Sequence, residues 1–282
     1  MTHQDLRQEL RVEPRDGHVD LADFSTDRVP SGPKSKKKAL HTLESAGTEL
    51  AELQERLYAA GTDGGRSVLL VLQGMDTAGK GGVIDHVVGL VGPSSAHIRA
   101  FKKPSPEELS HDFLWRIRKA LPGPGMIGVF DRSHYEDVLV PVVHDQIDDA
   151  ERAERYKLIN DFEAGLDENG TTVIKCFLHL SYDRQRERLL ARLDDPTKHW
   201  KFNEADITER RLWPDYQRAY ADALAATSTE NAPWYAVPSD HKWYRNWAVA
   251  TILLSTLRDL DPQYPSTDLD LPRLRARLAP PN

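Results

Sequence analysis

Gly74-Met75-Asp76-Thr77-Ala78-Gly79-Lys80 reads G-x-x-x-x-G-K, and Gly81 and Gly82 follow it. These residue types suit a phosphate. Glycines let the backbone wrap its N–H groups around an anion. A helix starting here adds the positive end of its dipole, and Lys80 adds a mobile point charge. A Ser or Thr usually follows the lysine and holds Mg²⁺ through its hydroxyl. Here that position is Gly81, so another oxygen must serve. Asp76, inside the loop, is the candidate, because hard Mg²⁺ takes carboxylate and phosphate oxygens. The competing reading is a structural glycine-rich turn. The flanks argue against it: residues 68–72 are a short continuous apolar run, as in a strand buried on both faces, and Val83, Ile84, Val87, Val88 and Val91 recur at helical spacing. Strand, loop, lysine and helix together make the context of a phosphate-binding P-loop.

A second acidic position follows about 50 residues later. Met126-Ile127-Gly128-Val129-Phe130 reads as a buried strand ending at Asp131, the Walker B pattern, whose carboxylate holds Mg²⁺ directly or through water. Arg132, Ser133, His134, Tyr135, Glu136 and Asp137 crowd the same rim. So many polar side chains just past a buried strand suggest a site, although Glu136 and Asp137 also read as helix caps or salt-bridge partners. Residues 96–101 form another expected strand, ending at Lys102-Lys103. Strand ends carry ligands in open α/β sheets, which makes these lysines candidate phosphate contacts. Arg184, Arg188 and Arg192 lie four apart on one helix face, and Lys198, Trp200 and Lys201 follow. An exposed, salt-bridged helix would look the same. The added cations and aromatic in a loop-like segment favour a lid that closes over transferring phosphates.

The elements that must position these residues alternate. Helices are expected over residues 36–60, with Leu40, Leu43, Leu50, Leu53 and Leu57 on one stripe, then 106–120, 150–166, 207–227 and 242–260, with a further helix from Ser181 carrying the arginines. The Leu stripe packs on the chain's own core or on a second subunit. Strands are expected at 172–180 and 234–237, and Gly92-Pro93 breaks the pattern after the P-loop helix. Trp213, Tyr216 and Tyr220 read as core. The fold class is therefore α/β, a doubly wound parallel sheet flanked by helices, with a helical lid at about 184–227. Residues 1–35 read as an extended arm with little secondary structure, 36–260 as one domain, and 261–282 as a Pro-rich, charged tail.

Bulk properties narrow the function. The chain has 282 residues, 39% hydrophobic and 29% charged, with no apolar run near the roughly 18 residues that span a membrane and no signal-peptide core in its first ten residues. Cys176 is the lone cysteine and reads as a buried thiol, which fits a reducing cytoplasm. The eleven histidines show no metal-ligand spacing. A net charge of −7 argues against nucleic acid as a partner, yet Lys and Arg are bunched at 34–38, 99–103, 116–119, 184–192 and 198–201. An acidic protein with local basic clusters suits a polyanion in a cationic groove.

Four blocks now resemble a known family: G-M-D-T-A-G-K-G-G, F-D-R-S-H-Y-E-D-V-L-V, R-L-D-D-P-T-K-H-W-K-F and A-P-W-Y-A-V-P-S-D-H-K-W-Y-R-N-W. In order and spacing they are similar to the family-2 polyphosphate kinases, over about residues 36–260, and the glycine after the P-loop lysine is shared. The resemblance implies a P-loop kinase-like fold and a homo-oligomer. It also implies Mg²⁺-dependent transfer of phosphoryl groups between inorganic polyphosphate and nucleotides. It implies metal-holding carboxylates at Asp76 and Asp131, the P-loop lysine at Lys80, the rim arginine at Arg132 and lid arginines at Arg188 and Arg192. His134-Tyr135-Glu136-Asp137, where many relatives carry Trp-Tyr, resembles the branch that accepts nucleoside mono- and diphosphates. Thr77 replaces a frequent Ala, and Pro141-Val142 stands where that branch is more basic. The expected reaction is in-line attack by a nucleotide phosphate oxygen on terminal polyphosphate, with Glu136 orienting the acceptor. Gly74, Met75, Thr77, Ala78, Gly79, Gly81, Gly82, Lys102, Lys103, Lys198 and Lys201 are the expected phosphate and nucleotide contacts. An ATP-dependent nucleoside or nucleotide kinase on the same fold is the alternative, and a non-catalytic nucleotide-binding regulator the second.

Overall fold

The computed structural model of the protein describes residues 3–92 and 95–278. The described residues form one five-stranded, all-parallel sheet in the order β2-β3-β1-β4-β5: β1 Ser67–Gln73, β2 Ala96–Ala100, β3 Ile127–Asp131, β4 Thr171–His179 and β5 Trp234–Pro238. β1 sits at the centre and every residue of it is buried, the reason it reads as an unbroken apolar run rather than an alternating one. Its register with β3 sets Leu72 beside Asp131. The end of β1 and the acidic end of β3 therefore open on the same rim.

Helices cover both faces, the doubly wound arrangement expected. One face carries α1 (His3–Leu10), α2 (Lys36–Ala60) and α3 (Lys80–His86). The other carries α5 (Trp115–Arg118), α6 (Glu136–Val143) and α7 (Asp149–Glu168), and α4 (Pro106–Leu109), of which nothing is buried, precedes α5. α8 (Tyr182–Leu193), α9 (Ala205–Arg211) and α10 (Trp213–Thr227) follow β4, and α11 (Lys242–Leu260) and α12 (Leu271–Leu278) follow β5. α11 is buried from Tyr244 to Leu257 and forms the spine of the first face with α2. The Leu stripe of α2 is spent there: Leu43, Leu50, Leu53 and Leu57 are buried while Leu40 is exposed. Cys176 lies in this core, and burial pushes its thiol up.

Several expectations change. The helix expected over 106–120 is two short ones, because the Asp112 carboxylate accepts from Leu114 N and Arg118 Nη1 and competes with the helix between them. The long helix at 207–227 breaks at Leu212, ahead of Pro214, which has no N–H to continue the ladder. The P-loop helix ends at His86 and a 3₁₀ turn, Val88–Leu90, replaces its last part. The break expected at Gly92-Pro93 lies partly outside the described residues. Lys119 stacks on Trp115, Arg118 pairs with Asp112, and buried Arg116 pairs with Asp137, so the 116–119 cations are each engaged by neighbours in the fold. The tail holds α12, of which nothing is buried.

The N-terminal arm, expected to be extended with little secondary structure, contains the helix α1. α1 buries Leu6 and Leu10, Val12 is buried, Arg11 forms an antiparallel bridge with Tyr235, and Val12 N donates to Trp234 O at 2.8 Å. The arm thus covers the outer edge of β5, an edge a sheet otherwise leaves unpaired. Leu10→Ala should cost about 2–5 kcal/mol, measured by urea unfolding. A loss under about 1 kcal/mol would show the arm to be dispensable.

Candidate functional site

The loop from Gly74 to Lys80 leaves β1 through two backbone conformations that only glycine takes easily. Gly74 has φ +147, and a Cβ there would meet Leu178 O at 2.7 Å; Gly79 has φ +109, and a Cβ there would overlap the Arg245 guanidinium. Thr77 and Arg132 also have positive φ, at 66° and 64°. Non-glycine residues adopt that region only where their surroundings over-determine it. Lys80 is buried, and its Nζ donates to Gly74 O at 2.8 Å. Burial lowers its pKa and Arg132 adds to that, while Asp76, Asp131 and Glu136 pull the other way.

These groups face a cavity of about 730 Å³ at the carboxyl ends of the strands. Asp76, Asp131, Lys80, Arg132, Thr77, Gly79, Gly81, Gly82, Lys102, Arg188, Arg192, Lys198 and Lys201, all named from the sequence, line it. Arg132 Nη2 donates to Asp76 Oδ1 at 2.8 Å, joining the P-loop to the rim beyond β3. Burial alone would raise the Asp76 carboxyl, but Lys80 and Arg132 outweigh it and hold it below its ordinary value. Burial likewise opposes the Arg132 charge, and Glu136 and Asp76 more than restore it. A smaller cavity of about 170 Å³ adjoins through Asp76 and Arg132, lined by Gly74, Met75, Glu136, Glu209, Tyr216 and Tyr220. Glu136 accepts from Gln73 Nε2 at 3.2 Å, and burial raises its pKa against the pull of Arg132 and Lys80. Ala78 is buried and contributes its carbonyl; Lys103 is exposed and lines neither cavity.

Two of the arginines differ from the expected lid arginines. Arg188 donates to Thr77 O at 2.7 Å, Ala78 O at 3.1 Å, Ser239 O at 2.5 Å and Asp240 O at 3.1 Å, so it clasps the P-loop to the end of β5. Arg192 is tied within its own segment, to Lys201 O at 3.1 Å and Asp206 Oδ2 at 3.3 Å. The exposed part of that segment runs from the last turn of α8 through α9, while α10 buries Tyr216, Tyr220 and Leu224 in the core. Arg245 was not named from the sequence, although its block was. It is 2% exposed, donates to Ala78 O at 3.0 Å, and holds Asn246 Oδ1 at 2.8 Å. Among the described residues no carboxylate pairs with Arg188 or Arg245. Burial pushes Arg188 down to about 10, and burial with Arg188 beside it pushes Arg245 down to about 9. Lys242 joins them at the cavity wall. Its signal was positional: it and Arg245 follow β5 at the strand end where Lys102 follows β2.

Nine cations and three carboxylates line the larger cavity, in a chain whose net charge is −7. Thr77 Oγ1 and Arg188 Nε, both buried atoms of cavity-lining residues, lack a hydrogen-bond partner. The described residues hold no cluster of three or more His, Cys, Asp or Glu side chains arranged for a metal. Two carboxylates beside phosphate oxygens nevertheless form the donor set Mg²⁺ takes, so Asp76 and Asp131 fit it. No helix among the described residues is long and apolar enough to cross a membrane.

Comparison with known proteins points the same way. Residues 33–265 match the family model described as Polyphosphate kinase 2. The chain is 45% identical to an AMP/ADP-polyphosphate phosphotransferase of Meiothermus ruber, over 92% of this chain and 95% of that protein. It is 43% identical to an ADP-polyphosphate phosphotransferase of Rhodopseudomonas palustris, over 88% and 89%. The crystal structure of Polyphosphate Kinase 2 from Arthrobacter aurescens superposes with a TM-score of 0.93 at 47% identity, covering 97% of this chain and 96% of that one. A P-loop, an acidic strand end, a cationic cavity and these likenesses together identify the chain as a member of the polyphosphate kinase 2 family.

Proposed function

We propose that this protein transfers the terminal phosphoryl group of inorganic polyphosphate to a nucleoside diphosphate or monophosphate, making ATP from ADP and ADP from AMP. The excess of cations over carboxylates in the cavity carries this reading. A polyanionic chain supplies the charge that Arg188 and Arg245 lack. The two relatives named above act on polyphosphate with AMP or ADP by their names, which supports both acceptors here. An ATP-dependent nucleotide kinase needs no such cationic excess beyond its triphosphate.

Phosphoryl transfer asks little covalent chemistry of a protein; positioning and charge neutralisation dominate. In our reading a phosphate oxygen of the nucleotide, already ionised, attacks the end phosphorus in line while the P–O bond to the rest of the chain breaks and the shortened polyphosphate leaves with its electron pair, so no general base is required. Asp76 and Asp131 would hold Mg²⁺, which when bound would neutralise phosphate charge. Lys80 and Arg132 offset charge on the transferring group, and the P-loop backbone orients it. Arg188 and Arg245 hold the loop's carbonyls back while adding positive potential. Glu136, at the smaller cavity, orients the acceptor. Lys198 and Lys201 lie on the exposed stretch that serves as the lid of a single domain over 36–260. Assembly as a homo-oligomer and a cytoplasmic location belong to the same proposal.

Purified protein with Mg²⁺ and polyphosphate, and no nucleoside triphosphate, should form ATP from ADP and ADP from AMP in separate reactions. Absence of both products would favour the ATP-dependent kinase. Asp131→Ala should lower turnover by at least about 10²-fold, the order a lost charge-stabilising contact costs; near-normal turnover would refute the metal assignment. Arg245→Met should leave unliganded stability within about 1 kcal/mol. It should raise the tripolyphosphate needed for half-maximal thermal stabilisation by roughly ten-fold. Unchanged tripolyphosphate binding would remove Arg245 from the account.

A further inference from the structure

The most unusual residue of the sheet is not in either cavity. Lys175 stands in the middle of β4, wholly buried, in a strand that is otherwise almost entirely apolar. Its ammonium has three donors, and all three are used: Glu163 Oε2 on α7 at 2.5 Å, Thr227 O at the end of α10 at 2.7 Å, and the Tyr135 hydroxyl at 2.9 Å. Tyr135 Oη donates in turn to Glu163 Oε1 at 2.9 Å, and His134 Nε2 lies 3.2 Å from the same oxygen. His134, Tyr135 and Glu163 are each no more than 1% exposed. Burial alone would raise the Glu163 carboxyl; the Lys175 ammonium outweighs it, with help from His134, and holds it below its ordinary value. A buried charge cluster of this kind is an expensive way to fill a core that aliphatic side chains would fill as well.

What the cluster holds is the rim. His134 and Tyr135 stand between Arg132 and Glu136 in the chain. Tyr135 N donates to the buried Ser133 hydroxyl at 3.2 Å, and Arg132 N donates to Leu72 O at 3.1 Å. Between these anchors Arg132 takes φ +64 and directs its guanidinium onto Asp76. We propose that the buried Lys175–Glu163 pair is a positioning device for phosphoryl transfer: through Tyr135 and His134 it imposes the left-handed turn at Arg132 and so fixes the Arg132–Asp76 contact. This rests on the proposed reaction and adds to it two residues that touch no substrate. Neither Lys175 nor Glu163 lines either cavity, and neither acts as an acid or base.

Tyr135→Phe tests it most cleanly, because it removes only the hydroxyl that links the rim to the pair. Turnover should fall about ten-fold, the order expected for a displaced charge contact, with KM for polyphosphate and for ADP within two-fold of the wild type. The decisive readout is a double-mutant cycle with Arg132→Ala. If the pair acts through Arg132, Tyr135→Phe should change turnover little in the Arg132→Ala background. The same fold-loss in both backgrounds would mean general loosening and would overturn the proposal, as would unchanged turnover for Tyr135→Phe in the wild type. Lys175→Met with Glu163→Gln, which removes both charges together, provides a second arm: a folded double variant with wild-type turnover would also overturn it. Wild-type turnover is the reference for every arm. Failure of the reaction itself would therefore appear in the unmutated protein, whereas failure of this inference appears only in the variants.

Discussion

Like charges must be held close together for this cavity to exist, and that is the constraint the rest of the structure answers. Lys80, Arg132, Arg188 and Arg245 converge on one loop of seven residues. Their repulsion is offset in three ways. Asp76, Asp131 and Glu136 lie among them. Backbone carbonyls accept from Lys80, Arg188 and Arg245. And the parallel sheet, covered on both faces, supplies a rigid frame against which the groups cannot relax apart. The residual positive potential is what a chain of phosphates meets.

The same constraint explains why so much of the frame is polar in unexpected places. Arg188 crosses from the first helix beyond β4 to the carbonyls of the P-loop and to those following β5. It binds three strand ends into one unit. On the far side, the Lys175 cluster joins β4, α7 and α10 to the segment that follows β3. The loop and the rim that meet at Asp76 and Arg132 are thus each held in place, the loop by Arg188 at the cavity wall and the rim by a cluster that lines neither cavity.

Much of this was legible in the sequence. The strand–loop–helix around Lys80, the acidic end of β3, the parallel sheet and the helices at 36–60 and 242–260 all follow from local pattern, because buried parallel strands and long amphipathic helices leave strong periodic signals. What failed was non-local. Spacing places Arg184, Arg188 and Arg192 on one face, but only the fold shows that Arg188 reaches the P-loop while Arg184 pairs with Glu187. Arg116 looks like its basic neighbours until Asp137 is seen 3.0 Å away. Arg245 sat in a block quoted for its resemblance, yet nothing in a helix start announces a guanidinium lodged against Gly79. The arm's helix was missed because a polar octet with two inward leucines reads as loop until β5 offers it an edge.

The claim at the centre is that Asp76 and Asp131 share one divalent ion beside a phosphate chain whose charge meets Lys80 and Arg245. A crystal structure of the protein with Mg²⁺ and tripolyphosphate tests it most directly. The account predicts a metal bound by oxygens of both carboxylates, with phosphate oxygens completing its shell and within hydrogen-bond reach of Lys80 and Arg245. Tripolyphosphate bound in the cavity with either carboxylate turned away from the metal, or bound elsewhere on the protein, would contradict it.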